Sequence, residues 1–353
     1  MTPPLPAHLS QLLVRPSESN LPLEHLDQAA APTALAQSLG PEAALVPTRL
    51  WNAALYDPLR DFLAEPGKGF RAQLVRLGWT LGGGAVDACP PELIVALEWL
   101  HAGSLIVDDI EDGSDTRRGQ PALHVARGMP LALNAGNMLY FLAQQQILAA
   151  PLPAQIRAEL HATVVQALLR CHHGQALDIA AHIDELNQAE VAHVVHATTA
   201  LKTGSLTALA ATLGARAAGA TGERLAALEA FGGQLGVSLQ MLDDLGSLLS
   251  PRRRAKVLED LRGGHPTWVW AWISEIVDPF TFSRLQSALR LIRAGGPEDA
   301  LLEELHQRVT HVGRARVAAQ LEKTLAIVRQ AVGEGAQLDA VHAELERLKR
   351  SYV

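Results

Sequence analysis

Apolar residues recur every three to four positions from about Leu21 onward, the spacing of a helical face that packs against a core. The pattern breaks at Glu65-Pro66-Gly67, Gly82-Gly83-Gly84, Pro90-Pro91, Pro151-Leu152-Pro153, Gly219 to Gly222, Ser250-Pro251 and Gly263 to Pro266. No strand-type alternation and no Gly-rich dinucleotide loop appears between these breaks. The prediction is an all-α chain. A Pro- and Ser-rich, loosely ordered segment over 1–20 precedes a single helical domain over 21–353, with a charged, peripheral helix near 338–350. The uncharged stretch from Gly128 to Ile156 is long enough to suggest a membrane span. Its Asn134, Asn137, Gln144, Gln145 and Gln146 and its prolines instead predict a buried core helix.

Composition sharpens this picture. Of 353 residues, 48% are hydrophobic and only 4% aromatic, a balance that favours helices over a β-sandwich. The net charge of −7 excludes a nucleic-acid binder. Cys89 and Cys171 make no disulfide framework, and Met1 to Pro6 has neither a basic start nor an apolar core. A cytoplasmic protein without a signal peptide is expected.

Two acidic clusters interrupt the apolar pattern, Asp108-Asp109-Ile110-Glu111-Asp112 and Asp243-Asp244, each at the end of an apolar helical run. Carboxylates there are costly unless cations compensate them. Asp108 and Asp112 are four apart and share one helix face, and oxygen-only ligands at that spacing suit Mg²⁺. Two such clusters facing each other would hold several Mg²⁺ around a diphosphate. Basic residues flank them in sequence: Lys68 and Arg71 after a turn, and Arg117 and Arg118 after the first cluster. His101 lies two helical turns before Asp108 on nearly the same face. Each cation alone reads as a solvated charge, whereas the set describes a polyanion site.

These segments resemble the trans-isoprenyl diphosphate synthases. The resemblance rests on Glu98 to Asp112 with Arg117-Arg118-Gly119, then Gly174-Gln175-Ala176-Leu177-Asp178, Lys202-Thr203-Gly204-Ser205 and Gln240-Met241-Leu242-Asp243-Asp244, in that order. It runs from about Gly67 to Thr267 and is nearest to geranylgeranyl diphosphate synthases. The resemblance implies an isoprenoid-synthase-type helical bundle around a central cavity, as a homodimer. By the same resemblance, Asp108 and Asp112 ligate two Mg²⁺ and Asp243 a third, with Asp244 and Asp178 as metal-site or outer acceptors. Arg117, Lys202 and Gln240 contact the allylic diphosphate. Lys68, Arg71, His101 and Arg118 hold isopentenyl diphosphate. Gln175 and Thr203 stabilise positive charge near the reacting carbons.

The sequence departs from the pattern in places. Ser247 stands where many members have a third Asp, and Asp-Asp-x-x-Ser also resembles the metal motif of terpene cyclases, although Pro251 stands where those expect Glu. His265 stands where the family usually has Lys, and Lys256 is the other late Lys, one residue short in its spacing to Asp260. Under the resemblance, Gly103 and Ser104, one turn before Asp108, line the path of the growing chain, with Leu97, Leu100, Tyr140 and Phe141 as a deeper floor. Small residues there favour a twenty-carbon product over a fifteen-carbon one, while close helix packing is the competing reading. His193 and His196 lack a third metal ligand, and His172 and His173 are adjacent to the Gly174-Gln175 motif by position alone. Arg252 to Arg254 read as solvated, with closing the site beside the second acidic pair as the alternative. The leading expectation is a Mg²⁺-dependent prenyltransferase making geranylgeranyl diphosphate, then farnesyl diphosphate. The alternatives are a cyclase-like enzyme on the same scaffold and a regulatory subunit of a partner synthase.

Overall fold

Pro91 starts a 21-residue helix, Pro91–Glu111, at the position where a missing N–H is harmless. The helix buries Leu93 to Leu97, Trp99, Leu100 and Ile106, so it is apolar around most of its circumference and lies inside the protein. Its longest neighbour is the Met129–Ala149 helix. Small residues set the distance between them. A Cβ on Gly103 would lie 2.7 Å from the Gly136 carbonyl oxygen, and one on Gly136 would lie 3.1 Å from the Ile106 and Val107 methyls.

The computed structural model describes residues 20–64, 69–333 and 335–352. Helices account for nearly all of them, and the fold class is all-α as the apolar spacing predicts. Contacts divide the chain into two compact units, Met1–Val164 with Leu213–Ala220, and Val165–Thr212 with Thr221–Val353. The first contains Pro91–Glu111. Apart from Asn20, the segment expected to be loosely ordered lies outside the described residues. Among the described residues no helix is long and apolar enough to cross a membrane.

Three expectations change. A two-residue-loop hairpin pairs Thr116–Arg117 with Gln120–Pro121 where no strand is expected, because Gly119 and Arg118 both adopt positive φ (81° and 52°) and close a tight turn. The 129–149 helix is only partly buried and exposes Leu133, Leu148 and, at 68%, Phe141. The C-terminal helix Ala336–Tyr352 is not merely peripheral, since Leu338, Val341 and Leu345 are buried.

The second unit is built on the Gly222–Leu249 helix, which lies along Asp299–Val332 through a buried Ser238–Thr324 hydroxyl contact of 3.1 Å. On another side, Gly232 and Gly236 let the segment around residues 203–208 approach. A Cβ on Gly236 would lie 2.7 Å from the Gly204 Cα, so a larger residue would push the two apart. That segment opens with a π-turn, Ala200–Gly204, between the Gln188–Thr199 and Ser205–Ala217 helices. Single-turn π-bulges of this kind re-aim side chains and recur at functional sites.

Candidate active site

In the first unit, the end of Pro91–Glu111 splits its carboxylates by direction. Asp109 is 1% exposed, Asp108 is partly exposed and Asp112 is exposed. Successive residues on a helix point about 100° apart, so the paired aspartates cannot share a face. The hairpin turns Arg117 onto Asp109, which accepts from both Nε, at 2.8 Å, and Nη2 on one oxygen. The same guanidinium lies 3.8 Å from Asp108. Burial pushes the Asp109 carboxyl up and Arg117 partly reverses that. Its other oxygen, Oδ2, is buried without a hydrogen-bond partner.

About two and three turns back on the same helix are His101 and Glu98. Burial, then the Arg71, Arg118 and Arg117 cations, hold His101 well below its ordinary imidazole value, so it is neutral at neutral pH. Glu98 accepts the Ala72 N–H at 3.1 Å, at the start of the Phe70–Leu81 helix that carries Arg71. Burial raises its carboxyl, and Arg71, that N–H and Arg118 oppose the rise. The structure therefore brings Arg71, His101, Arg118 and Glu98 into one electrostatic group. Glu98 is a member that sequence reasoning gave no role, although it sits three residues before His101. Lys68 lies outside the described residues. Ser104 donates to the His101 carbonyl at 2.8 Å, Leu100 is buried, and the smallness of Gly103 is required by the helix contact described above.

In the second unit, Gly174 on the Ala154–Ala180 helix abuts the π-turn. A Cβ there would lie 2.5 Å from the Lys202 nitrogen, which accounts for the glycine of that motif. Gln175 follows it, half-buried, and Asp178 pairs with Lys202 Nζ at 2.6 Å. From the π-turn a hydrogen-bond chain runs inward. Thr203 donates to Gln240 Oε1 at 3.1 Å, and Gln240 Nε2 donates to Asp244 Oδ1 at 2.8 Å. Asp244 Oδ2 accepts the Trp268 N–H at 2.7 Å, and the Trp268 indole donates to Thr199 at 3.1 Å. Asp244 is 6% exposed with both oxygens engaged, and burial pushes its carboxyl up to about 7. Burial likewise pushes Asp260 up to about 7.

Asp243 faces the other way. Arg253 and Lys256 pair with its two oxygens, and their charges more than offset burial, leaving the carboxyl below its ordinary value. Lys256 thus reaches Asp243 despite its short spacing to Asp260. The solvated reading of Arg252 to Arg254 is corrected for two of the three, since Arg253 holds Asp243 and Arg254 pairs with Asp299. Ser247 is buried and donates to the Asp243 carbonyl at 2.9 Å.

The donor chemistry fits Mg²⁺. Asp108, Asp112 and Asp243 offer only carboxylate oxygens, and no group of three His, Cys, Asp or Glu side chains forms a cage among the described residues. Mg²⁺ is ordinarily held by one or two carboxylates plus water and substrate phosphate rather than by such a cage.

The polyprenyl synthetase family pattern matches residues 52–301. The chain belongs to the polyprenyl synthetase family. It is 36% identical over 138 residues to a geranylgeranyl pyrophosphate synthase of Eremothecium gossypii, covering 37% of this chain and 42% of that protein. It is 32% identical over 229 residues to a geranylfarnesyl diphosphate synthase of Aeropyrum pernix, covering 63% and 70%. The chain spans about half the length of the first curated relatives it matches. A crystal structure of a geranylgeranyl pyrophosphate synthase superposes with a TM-score of 0.75 at 19% identity, over 94% of this chain and 97% of that one. The all-α fold expected from the sequence is therefore that of the isoprenyl synthases.

Proposed function

We propose that residues 21–353 work as one Mg²⁺-dependent prenyltransferase, condensing isopentenyl diphosphate with an allylic diphosphate to give geranylgeranyl diphosphate. One observation carries this reading. The chain has two chemically distinct charged groups, carboxylates with Arg117, and Arg71, Arg118 and His101 around Glu98. A cyclase has no second diphosphate for the latter group.

Asp108, Asp112 and Asp243 would hold three Mg²⁺. When bound, the metal supplies Lewis acidity to the diphosphate leaving group. Arg117 and Lys202 add fixed positive charge where negative charge develops as the allylic C–O bond breaks. Thr203 donates its proton to Gln240, which leaves its oxygen lone pairs for the positive carbon; Gln175 serves the same carbon through its amide oxygen. Arg71, Arg118 and neutral His101 orient isopentenyl diphosphate, whose double bond attacks the allylic carbon. The new carbocation then loses a proton to the released diphosphate, which restores a double bond. Neutral His101 donates a hydrogen bond without adding a charge to a group already rich in cations.

Named relatives with twenty- and twenty-five-carbon products support a medium-length chain, and geranylgeranyl diphosphate ranks ahead of farnesyl diphosphate because Ser104 is small. Exposed Leu133, Phe141 and Leu148 on one helix support a homodimer. A cytoplasmic location goes with this reading. The test is product analysis with Mg²⁺, isopentenyl diphosphate and each of dimethylallyl, geranyl and farnesyl diphosphate. The expected product is linear and twenty carbons long, and Ser104→Phe should shorten it. A hydrocarbon or alcohol formed without isopentenyl diphosphate, or no turnover at all, would overturn the proposal.

A further inference from the structure

The Gly222–Leu249 helix ends at Ser250, and Pro251–Arg253 forms one 3₁₀ turn closed by an Arg253 N–H to Ser250 carbonyl bond of 2.9 Å. With three residues per turn, consecutive side chains there point about 120° apart. The three arginines accordingly have three fates. Arg252 is exposed, Arg254 pairs with Asp299, and Arg253 folds back onto the helix that the chain has just left. There it donates Nη1 to the Asp243 carbonyl at 3.2 Å and Nη2 to Oδ1. Lys256, on the following Arg254–Gly263 helix, takes Oδ2.

Both oxygens of the presented carboxylate are thus covered by cations from one short turn and the helix start behind it. A divalent cation arriving alone would meet a positive group on each oxygen of that carboxylate. Arriving with diphosphate, it would bring oxygens on which a guanidinium and an ammonium can re-seat, and a guanidinium suits phosphate through its planar fork.

We propose that Arg253, together with Lys256, is an exchangeable counter-cation for Asp243: it covers the carboxylate before substrate arrives, then moves to the diphosphate and yields the carboxylate to metal. Arg253 thereby becomes a diphosphate-binding residue, and the second acidic motif takes metal only together with the anion. This rests on the function proposed above.

Calorimetric titration of the full-length protein tests it, first with Mg²⁺ alone and then with inorganic pyrophosphate at saturating Mg²⁺. Arg253→Gln should weaken pyrophosphate binding about tenfold, the loss of one charge-assisted contact. The same variant should bind Mg²⁺ alone more tightly, because its competitor is gone. Arg253→Lys should recover most of the pyrophosphate affinity. Unchanged pyrophosphate binding in Arg253→Gln, or Mg²⁺ binding that fails to tighten, overturns the exchange. Weakening of both ligands together with a lowered thermal midpoint would make Arg253 a staple for the turn, and also overturns it. If the wild-type protein binds no pyrophosphate with Mg²⁺, the prenyltransferase reading itself falls. Normal wild-type binding with an indifferent Arg253→Gln removes only the role of Arg253.

Discussion

The two acidic motifs use one geometric device with opposite chemistry. In each, adjacent aspartates point in different directions, so one anchors and its neighbour is presented. Asp109 is the anchor of the first motif and is held by a cation, Arg117. Asp244 anchors the second and is held by neutral donors, the Trp268 N–H and the Gln240 amide. The presented groups reverse that pattern. Asp108 and Asp112 stand at a helix end with Arg117 at the edge, whereas Asp243 carries a cation on each oxygen. The Asp109 carboxyl has a cation to oppose the rise that burial causes, whereas Asp244, held by neutral donors, is driven by burial toward the protonated form. Each doubled aspartate is therefore one presented carboxylate and one buried one.

Removing a presented carboxylate gives the largest effect. Asp108→Ala and Asp243→Ala should each lower kcat by on the order of 10²–10³ with the helical circular dichroism unchanged. Near-normal turnover in either would break the assignment of presenters. The anchors should separate next. Asp109→Asn strands Arg117 and should cost about 2 kcal/mol in urea unfolding at neutral pH. Asp244→Asn, which replaces a carboxyl with a folded-state value of about 7 by a neutral amide, should cost less than Asp109→Asn. Equal losses would erase the contrast.

The contrast also sets a pH dependence. Asp244 and Asp260 bind their protons more tightly folded than unfolded, since burial raises both from 3.8 to about 7. Their contribution to stability is present below the unfolded value and is lost as pH rises through the folded one. Metal-free protein should therefore lose unfolding free energy across that window, and Asp260→Asn should flatten the decline. A profile with the same slope in the variant would remove Asp260 as its source.

The smallest effect concerns the hairpin. Arg118 is the one non-glycine residue with positive φ among the described residues, a strain of about 1 kcal/mol. Arg118→Gly should raise stability by up to that amount while weakening isopentenyl diphosphate binding. A loss of stability would mean that the Arg118 side chain contributes more than its backbone strain.

Helical class, helix breaks and the presence of metal-type carboxylates are legible in the sequence, because 3.6-residue periodicity, proline and paired acids are local signals. So is the need for a small residue at Gly103, where close helix packing is one of the two readings, whereas the need at Gly174 shows only in the structure, where another backbone passes within contact distance. The roles of Glu98 and Arg253 are not legible. Glu98 acts through Arg71, on a different helix, and through Arg118 in the turn of a hairpin that periodicity does not reveal. Arg253 is distinguished from Arg252 by the phase of a 3₁₀ turn and from Arg254 by the helix that starts there. The sequence alone determined the helical class and which charges the chain carries. Tertiary structure alone decided which aspartate of each pair is buried and which cation covers it, because direction around a helix becomes inside or outside only once the helix has neighbours.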